Sequence, residues 1–261
     1  MQIQYLGQAG FKIDGTGSTY LIDPYLSDYV ISGGYGSSEL FSRNFPPPIQ
    51  PEDLLNIDAI FITHDHADHC DVDSLKIINK NNPNCKIIGP KPVRDKITSF
   101  TSTNDSIWSG PGLKGQVENG IEFIPVPAAH PFYRLSDASE EPDCVGYLIK
   151  MEGVVVYHSG DTVLYDGMAR LIKESGWKID IACLPVNGRD EKREKMCIVG
   201  NLNVEESLQL ATSIGAKWMI PIHNDLFSIN QENPAYVDSI LNSATDLKIV
   251  KMTPGQRVEF Y

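Results

Sequence analysis

The sequence predicts an α/β protein built in layers, with mixed β-sheets and a single domain over residues 1–261. Two patterns lead there. Short apolar runs of strand character open the chain as a hairpin-like series, and later runs alternate with helix-patterned stretches. No repeat at a fixed period and no linker-like shift in composition divides the 261 residues, a length that can bury one substantial core.

The first strands are "IQYL", "FKID" and "TYLID", separated by turns at Gly7, Gly10 and "GTGS", where glycine marks the reversals. Residues 27–53, "SDYVISGGYGSSELFSRNFPPPIQPED", then read as a long irregular segment stiffened at its end by Pro46, Pro47 and Pro48. A loop of that length inside a compact domain is a candidate lid, with Arg43 and Phe45 available to close over a ligand. "DAIFIT" (58–63) reads as a buried strand, followed by a helix from about Val72 with Asp71 or Asp73 as its N-cap. "CKIIG", "IEFIPV", "VGYLIKM", "GVVVYH", "IDIACLPV", "WMIPIH" and "LKIVKM" read as further strands. Over 204–214, Val204, Leu208, Ala211 and Ile214 fall at helical spacing. Asn203 and Glu206 resemble a capping pair, and Gly215 a C-terminal stop.

Composition narrows the function. With 41% hydrophobic and 21% charged residues the chain is an ordinary globular one. Its net charge of −12 argues against a nucleic-acid partner, which needs a basic stripe. No apolar stretch is long enough to span a bilayer, and "MQIQYLGQAGFKI" lacks the basic-then-apolar order of a secretory signal. Five widely spaced cysteines without a CxxC pair lead us to expect reduced thiols and a cytoplasmic protein.

The stretch "FITHDHADHCD" (61–71) crowds three histidines and three aspartates at the end of an apolar run. His64 and His66 share one side of an extended chain, since side chains alternate with a period of two. A turn through Ala67 would return Asp68 and His69 to the same space. The other histidines, His130, His158 and His223, each follow a strand-like run, in "FIPVPAAHP", "GVVVYHSGDT" and "KWMIPIHND". Strand ends are where a rigid sheet brings distant residues together. Imidazole nitrogen mixed with carboxylate oxygen suits zinc, manganese or iron.

"HDHADH" matches the HxHxDH signature of the metallo-β-lactamase superfamily, and His130, "SGDT" with Asp161, and "PIH" with His223 follow in the family's order. "GQAGFKI", "LIDPYLSD", "FPPPIQPEDL", "LPVNGRDEKRE" and "GNLNVEESLQLATSIGAKWMIPIHNDLF" further resemble the L-ascorbate-6-phosphate lactonase branch, so the likeness covers nearly the whole chain. The resemblance implies a four-layer αββα sandwich of two mixed β-sheets flanked by helices. It assigns His64, His66 and His130 to one metal site and Asp68, His69 and His223 to a second, with Asp161 bridging. One or two divalent ions, Zn or Mn, are implied. So is a hydrolase that uses a metal-bound hydroxide, with Asp68 as the catalytic residue that orients the nucleophile or shuttles its proton. His158, three residues before Asp161, is read as positioning that loop. Cys70 is read as a small buried residue at a helix start, and Asp225 as a cap or a partner near His223.

For the substrate, the branch points to a small anionic ester or lactone, such as a phosphorylated sugar lactone. Asn187, Arg189, Lys192 and Arg193 in "NGRDEKRE" are candidate anion contacts, although the interleaved acids also fit a solvated loop. Arg134, in "HPFYRLSD", is a second candidate, with Tyr133 as a pocket wall. A phosphodiesterase acting on a small phosphodiester is the alternative at the same site. A di-iron redox protein of this fold would place Glu where His66 stands, and a silent scaffold would lack ligands that this chain keeps. The branch leaves a homo-oligomer open.

Overall fold

The computed structural model describes residues 1–101, 115–131, 141–244 and 247–261, with the backbone of 106–107. Two seven-stranded sheets are seen. The first contains β1 (Gln2–Gly7), β2 (Gly10–Asp14), β3 (Thr19–Ile22), β4 (Ala59–Phe61), β5 (Lys86–Ile88) and β6 (Ser106–Ile107), with β14 (Arg257–Glu259) beside β1. The second runs in order from β7 (Gln116–Glu118) through β8 (Ile121–Pro127), β9 (Val145–Met151), β10 (Val154–His158), β11 (Ile181–Pro185) and β12 (Trp218–Ile222) to β13 (Lys248–Ile249). The helices are α1 (Tyr29–Ser32), α2 (Ser38–Phe41), α3 (Val72–Asn81), α4 (Lys91–Ile97), α5 (Met168–Glu174), α6 (Glu191–Lys195), α7 (Val204–Ser213) and α8 (Pro234–Asn242).

Side-chain alternation explains the layers. In β3, Tyr20 and Ile22 face the core between the sheets while Leu21 faces outward, towards the α3 and α4 residues Leu75, Ile78, Val93 and Ile97. In β11, Ile181 and Cys183 point inward, and Ala182 and Leu184 meet Ile172, Leu210 and Val237 of α5, α7 and α8. Strands covered on both faces read as continuous apolar runs, as these do. Phe61 lies between the sheets with its ring 5.1 Å from Phe123 and 5.2 Å from Tyr147, edge to face. Truncating such a ring to alanine typically costs about 3–5 kcal/mol. The result is the αββα sandwich that the resemblance implies.

Strand direction then selects one edge for chemistry. β1 and β2, and β2 and β3, pair antiparallel while β3 and β4 pair parallel, so β1, β3 and β4 run the same way. By the same reasoning β8, β10, β11 and β12 run together. The C-terminal ends of both sets meet at one edge.

Capping follows the sequence closely. Asp71 Oδ1 accepts from Ser74 N at 3.1 Å and caps α3. Asn203 and Glu206 form a reciprocal capping box on α7, and Gly215 follows with φ +73°. The segment 27–53 departs from a structureless loop: it contains α1, α2 and a 3₁₀ turn at Pro51–Asp53. It is also tied down, with Asn44 N bonded to Leu226 O at 2.8 Å and Arg43 bridging to Phe227. β6, β7, β13 and β14 are two or three residues long, and of these only the run holding β13 stands out as apolar in the sequence. No helix among the described residues is long and apolar enough to cross a membrane.

Candidate metal centre

β4 ends at Phe61 and carries the chain through Ile62 and Thr63 into His64. The N–H groups of His69 and Cys70 both bond back to His66 O, at 3.1 and 2.8 Å. That tight turn brings Asp68 and His69 round beside His64. From the second sheet, β8 leads to His130, β10 to Asp161 and β12 to His223.

Three groups of donors result, each within 4.8 Å of one another: His64, His66 and His130; His64, His69 and Asp161; Asp68, His69 and His223. The first and third share no residue, and Asp161 lies between them. Its Oδ2 is 3.6 Å from His130 Nε2 and 3.1 Å from His223 Nε2, and its Oδ1 is 3.2 Å from His69 Nε2. All seven residues that the resemblance assigns to metal come together.

Whether a cation fits can be judged from the hydrogen bonds. Asp23 Oδ2 is 2.7 Å from the Thr63 hydroxyl and 2.7 Å from His69 Nδ1, and Asp23 Oδ1 accepts from Thr63 N at 2.8 Å. A carboxylate only accepts, so the Thr63 hydroxyl gives its one proton to Asp23. Thr63 Oγ1 is therefore left to accept from His64 Nδ1, 3.0 Å away. That tautomer puts a lone pair on His64 Nε2, which is buried and has no hydrogen-bond partner. A buried, unpartnered imidazole lone pair facing two other histidines is the arrangement a divalent cation requires.

Gln8 is the other supporting residue. Its Nε2 donates to Asp68 Oδ2 at 2.8 Å and lies 3.0 Å from His223 Nε2. Its backbone is pinned by Asp225 Oδ1 on its N–H at 3.0 Å and by His223 N on its carbonyl at 2.7 Å. Asp225 also accepts from Tyr5 Oη at 2.7 Å, so it acts as a partner near His223. Gln8, Asp23 and His223 all have positive φ, of 56°, 41° and 64°, a conformation that non-glycine residues adopt rarely and mostly where the surroundings impose it.

Neither Gln8 nor Asp23 stands out in the sequence as a site residue. The available signals were a polar residue between two glycines in "GQAG" and an acid ending the buried strand "TYLID". His158 behaves as read: buried, with Nε2 2.8 Å from Ala9 O and Nδ1 accepting from Gly160 N. Cys70 is buried, which pushes its thiol up to about 12.

The charges in the metal-free cluster are set by burial against neighbours. Burial holds His64 well below its usual range and His130 down at about 3. Burial also pulls on His69 and His223, but Asp161 and Asp68 outweigh it: His69 is raised well above 6.5 and His223 to about 9. Asp68 and Asp161 resist the upward pull of burial and stay low, through His69 and His223. Two imidazolium protons thus stand where a cation's charge would be.

A cavity of about 340 Å³ opens over the cluster, lined by His66, Asp68, His130, Asp161 and His223, by the mainly apolar Val30, Tyr35, Phe41, Met196, Ile198, Val199 and Phe227, and by Asp65 and Asn230. Of the expected anion contacts, Asn187, Arg189 and Arg193 do not line it. Asn187 is buried, donating to Asn230 Oδ1 at 3.1 Å and accepting from Asn201 Nδ2 at 3.2 Å. Arg189 makes a two-pronged pair with Glu206, both contacts 2.7 Å. Arg193 is buried against Asp190 and the carbonyl and side chain of Asn230. The acids and amides around the loop satisfy these donors internally. Arg43, available to close over a ligand if residues 27–53 are a lid, bonds Phe45 O and Ser27 O at 3.2 and 3.0 Å, and the Phe45 ring lies against Gly7. Tyr133 and Arg134 lie outside the described residues.

A family model described as beta-lactamase superfamily domain matches residues 18–224. A UPF0173 metal-dependent hydrolase of Methanosarcina mazei is 28% identical over 264 residues, covering 99% of this chain and 98% of its own. Among solved structures, Igni18, a metallo hydrolase from Ignicoccus hospitalis, matches with a TM-score of 0.72 at 22% identity, over 100% of this chain and 99% of that one. The isothiocyanate hydrolase from Delia radicum gut bacteria matches with a TM-score of 0.72 at 17% identity, with the same coverage. These structural likenesses carry the fold.

Proposed function

We propose, because this chain belongs to the β-lactamase superfamily, that it is a metal-dependent hydrolase of small lactones and carboxylic esters. The observation that carries the reading is the position of Asp68. Its side chain is 19% exposed against 4% for Asp161, so of the two cluster carboxylates that line the cavity it is the more accessible. Gln8 fixes its Oδ2.

A zinc or manganese ion held by these histidines and aspartates would supply Lewis acidity at the attacked carbonyl and acidify the attacking water. Asp68 orients that water and takes its proton as oxygen adds to the acyl carbon. When the ring or ester C–O bond breaks, the same proton passes to the departing alkoxide. The apolar wall keeps bulk water away from the reacting carbon.

The resemblance to L-ascorbate-6-phosphate lactonases supports ring opening. A small phosphodiester at the same cluster is the weaker reading, because no Lys or Arg lines the described cavity. Five widely spaced cysteines without a CxxC pair support a reducing, cytoplasmic setting.

The test is to strip the protein of metal, reload it with zinc or manganese, and assay γ-lactones, p-nitrophenyl acetate and bis-p-nitrophenyl phosphate, with His66→Ala as control. Metal-dependent lactone or ester hydrolysis that is lost in the variant is expected. Turnover of the phosphodiester alone would overturn the reading.

A further inference from the structure

We infer that the substrate carries a neutral, apolar alkyl or aryl group seated against Val30, Phe41, Ile198, Val199 and Phe227, in place of a phosphate or carboxylate. The inference rests on the lactone and ester reading and adds the substrate class to it.

Three separate stretches of chain bring apolar side chains to the cavity beside the cluster. Val30 and Phe41 come from α1 and α2, Ile198 and Val199 from the turn after α6, and Phe227 from the loop after His223. The aromatic part is fixed by packing: the Phe41 and Phe227 rings meet edge to face at 5.5 Å. These five side chains gain from excluding water from a hydrocarbon group and offer no hydrogen bond to an anion; the Tyr35 hydroxyl and the Asn230 amide are donors beside them.

Among the described residues, Arg189 is paired with Glu206 and Arg193 with Asp190. Arg43 Nε and Nη1 bond backbone carbonyls, and its buried Nη2, which has no partner, belongs to a residue that does not line the cavity. Lys96 donates to Asp65 O and lies 4.6 Å from the centre of the Tyr35 ring and 5.4 Å from that of Tyr29. Among the described residues, the charged group at the cavity outside the cluster is Asp65, which would repel an anionic tail. Burying such a tail without a partner is costly.

The experiment uses the zinc- or manganese-loaded protein and γ-lactams, ring analogues that resist hydrolysis. Their alkyl chain is lengthened from ethyl to butyl to hexyl, and a chain ending in carboxylate serves for contrast. Calorimetry measures binding, and the matching lactones are assayed for turnover.

Affinity should rise about three- to fourfold per methylene until the cavity is filled, and the carboxylate should bind at least about tenfold more weakly than its alkyl match. Val199→Lys should flatten the ladder and admit the carboxylate, whereas Val199→Ile keeps it; bound metal reports that each variant folds. A flat ladder, or tighter binding of the carboxylate, overturns the inference. A ladder in lactam binding without any lactone or ester turnover keeps the apolar seat and overturns the hydrolytic reading. Turnover that favours anionic lactones does the reverse.

Discussion

Asp23 and His69 stand 2.7 Å apart, carboxylate oxygen to Nδ1, and the same Asp23 side chain holds Thr63, which in turn sets His64. One buried acid therefore orients two histidines, one from each of the two disjoint ligand trios. Asp23→Asn should lower metal affinity about 10–100-fold, read by competition with a chromogenic chelator. Asp23→Ala should also cost about 1–3 kcal/mol in denaturant unfolding, since the buried Thr63 N–H is left unpaired.

Protons and metal compete for the cluster. His69 lies well above its usual pKa and His223 at about 9 without metal, so a cation that takes their nitrogens must expel their protons. Metal affinity should fall as pH drops below about 9. Calorimetry in two buffers of different ionisation enthalpy should record proton release at neutral pH; buffer-independent heats would contradict this.

The same shifts set the stability of the metal-free protein. Groups raised in the folded state stabilise it fully below their unfolded pKa near 6.5. That contribution is lost as pH climbs through the folded value, about 9 for His223. His64 and His130 are shifted the other way and stay neutral across this window. With chelator present, Tm should therefore be lower at pH 9.5 than at pH 6.5.

Asp68→Asn should leave folding intact and reduce kcat by about 10²–10⁴, the usual value of a positioned base. Arg189→Ala should behave differently. Its pair with Glu206 is partly exposed, 38% and 20%, so the loss is at most about 1 kcal/mol of stability, with kcat/KM nearly unchanged. A large kcat/KM defect in Arg189→Ala with intact folding would show that the loop does contact substrate.

Gly160, in the "SGDT" turn, has φ +59°, and a Cβ there would stand 2.7 Å from Thr63 Cβ and 2.9 Å from Val145 O. Gly160→Ala should destabilise by about 1–3 kcal/mol and lower bound metal, because it pushes on the residue that orients His64. Urea unfolding and metal content measure the two effects.

Much of this was legible in the residues. Alternation and run length exposed the long strands, and "HDHADH" with three later strand ends exposed the ligand set. Gln8 and Asp23 were not legible as site residues, because their roles depend on a turn and a strand end meeting His69 and His223 across the fold. The basic loop misled for the converse reason: Glu206 and Asn230, which satisfy Arg189 and Arg193, lie 17 and 37 residues away. The short outermost strands carry too few residues for a period to show.

The meeting of both sheets at one edge has a consequence for assembly. His64, His66, Asp68 and His69 arrive from one sheet, and His130, Asp161 and His223 from the other, so each of the two disjoint ligand trios is split across the seam. Among the described residues, neither half of the sandwich supplies one of these trios alone. An ion bound there rivets the layers together, and its capture marks the moment when the two halves of the chain have docked.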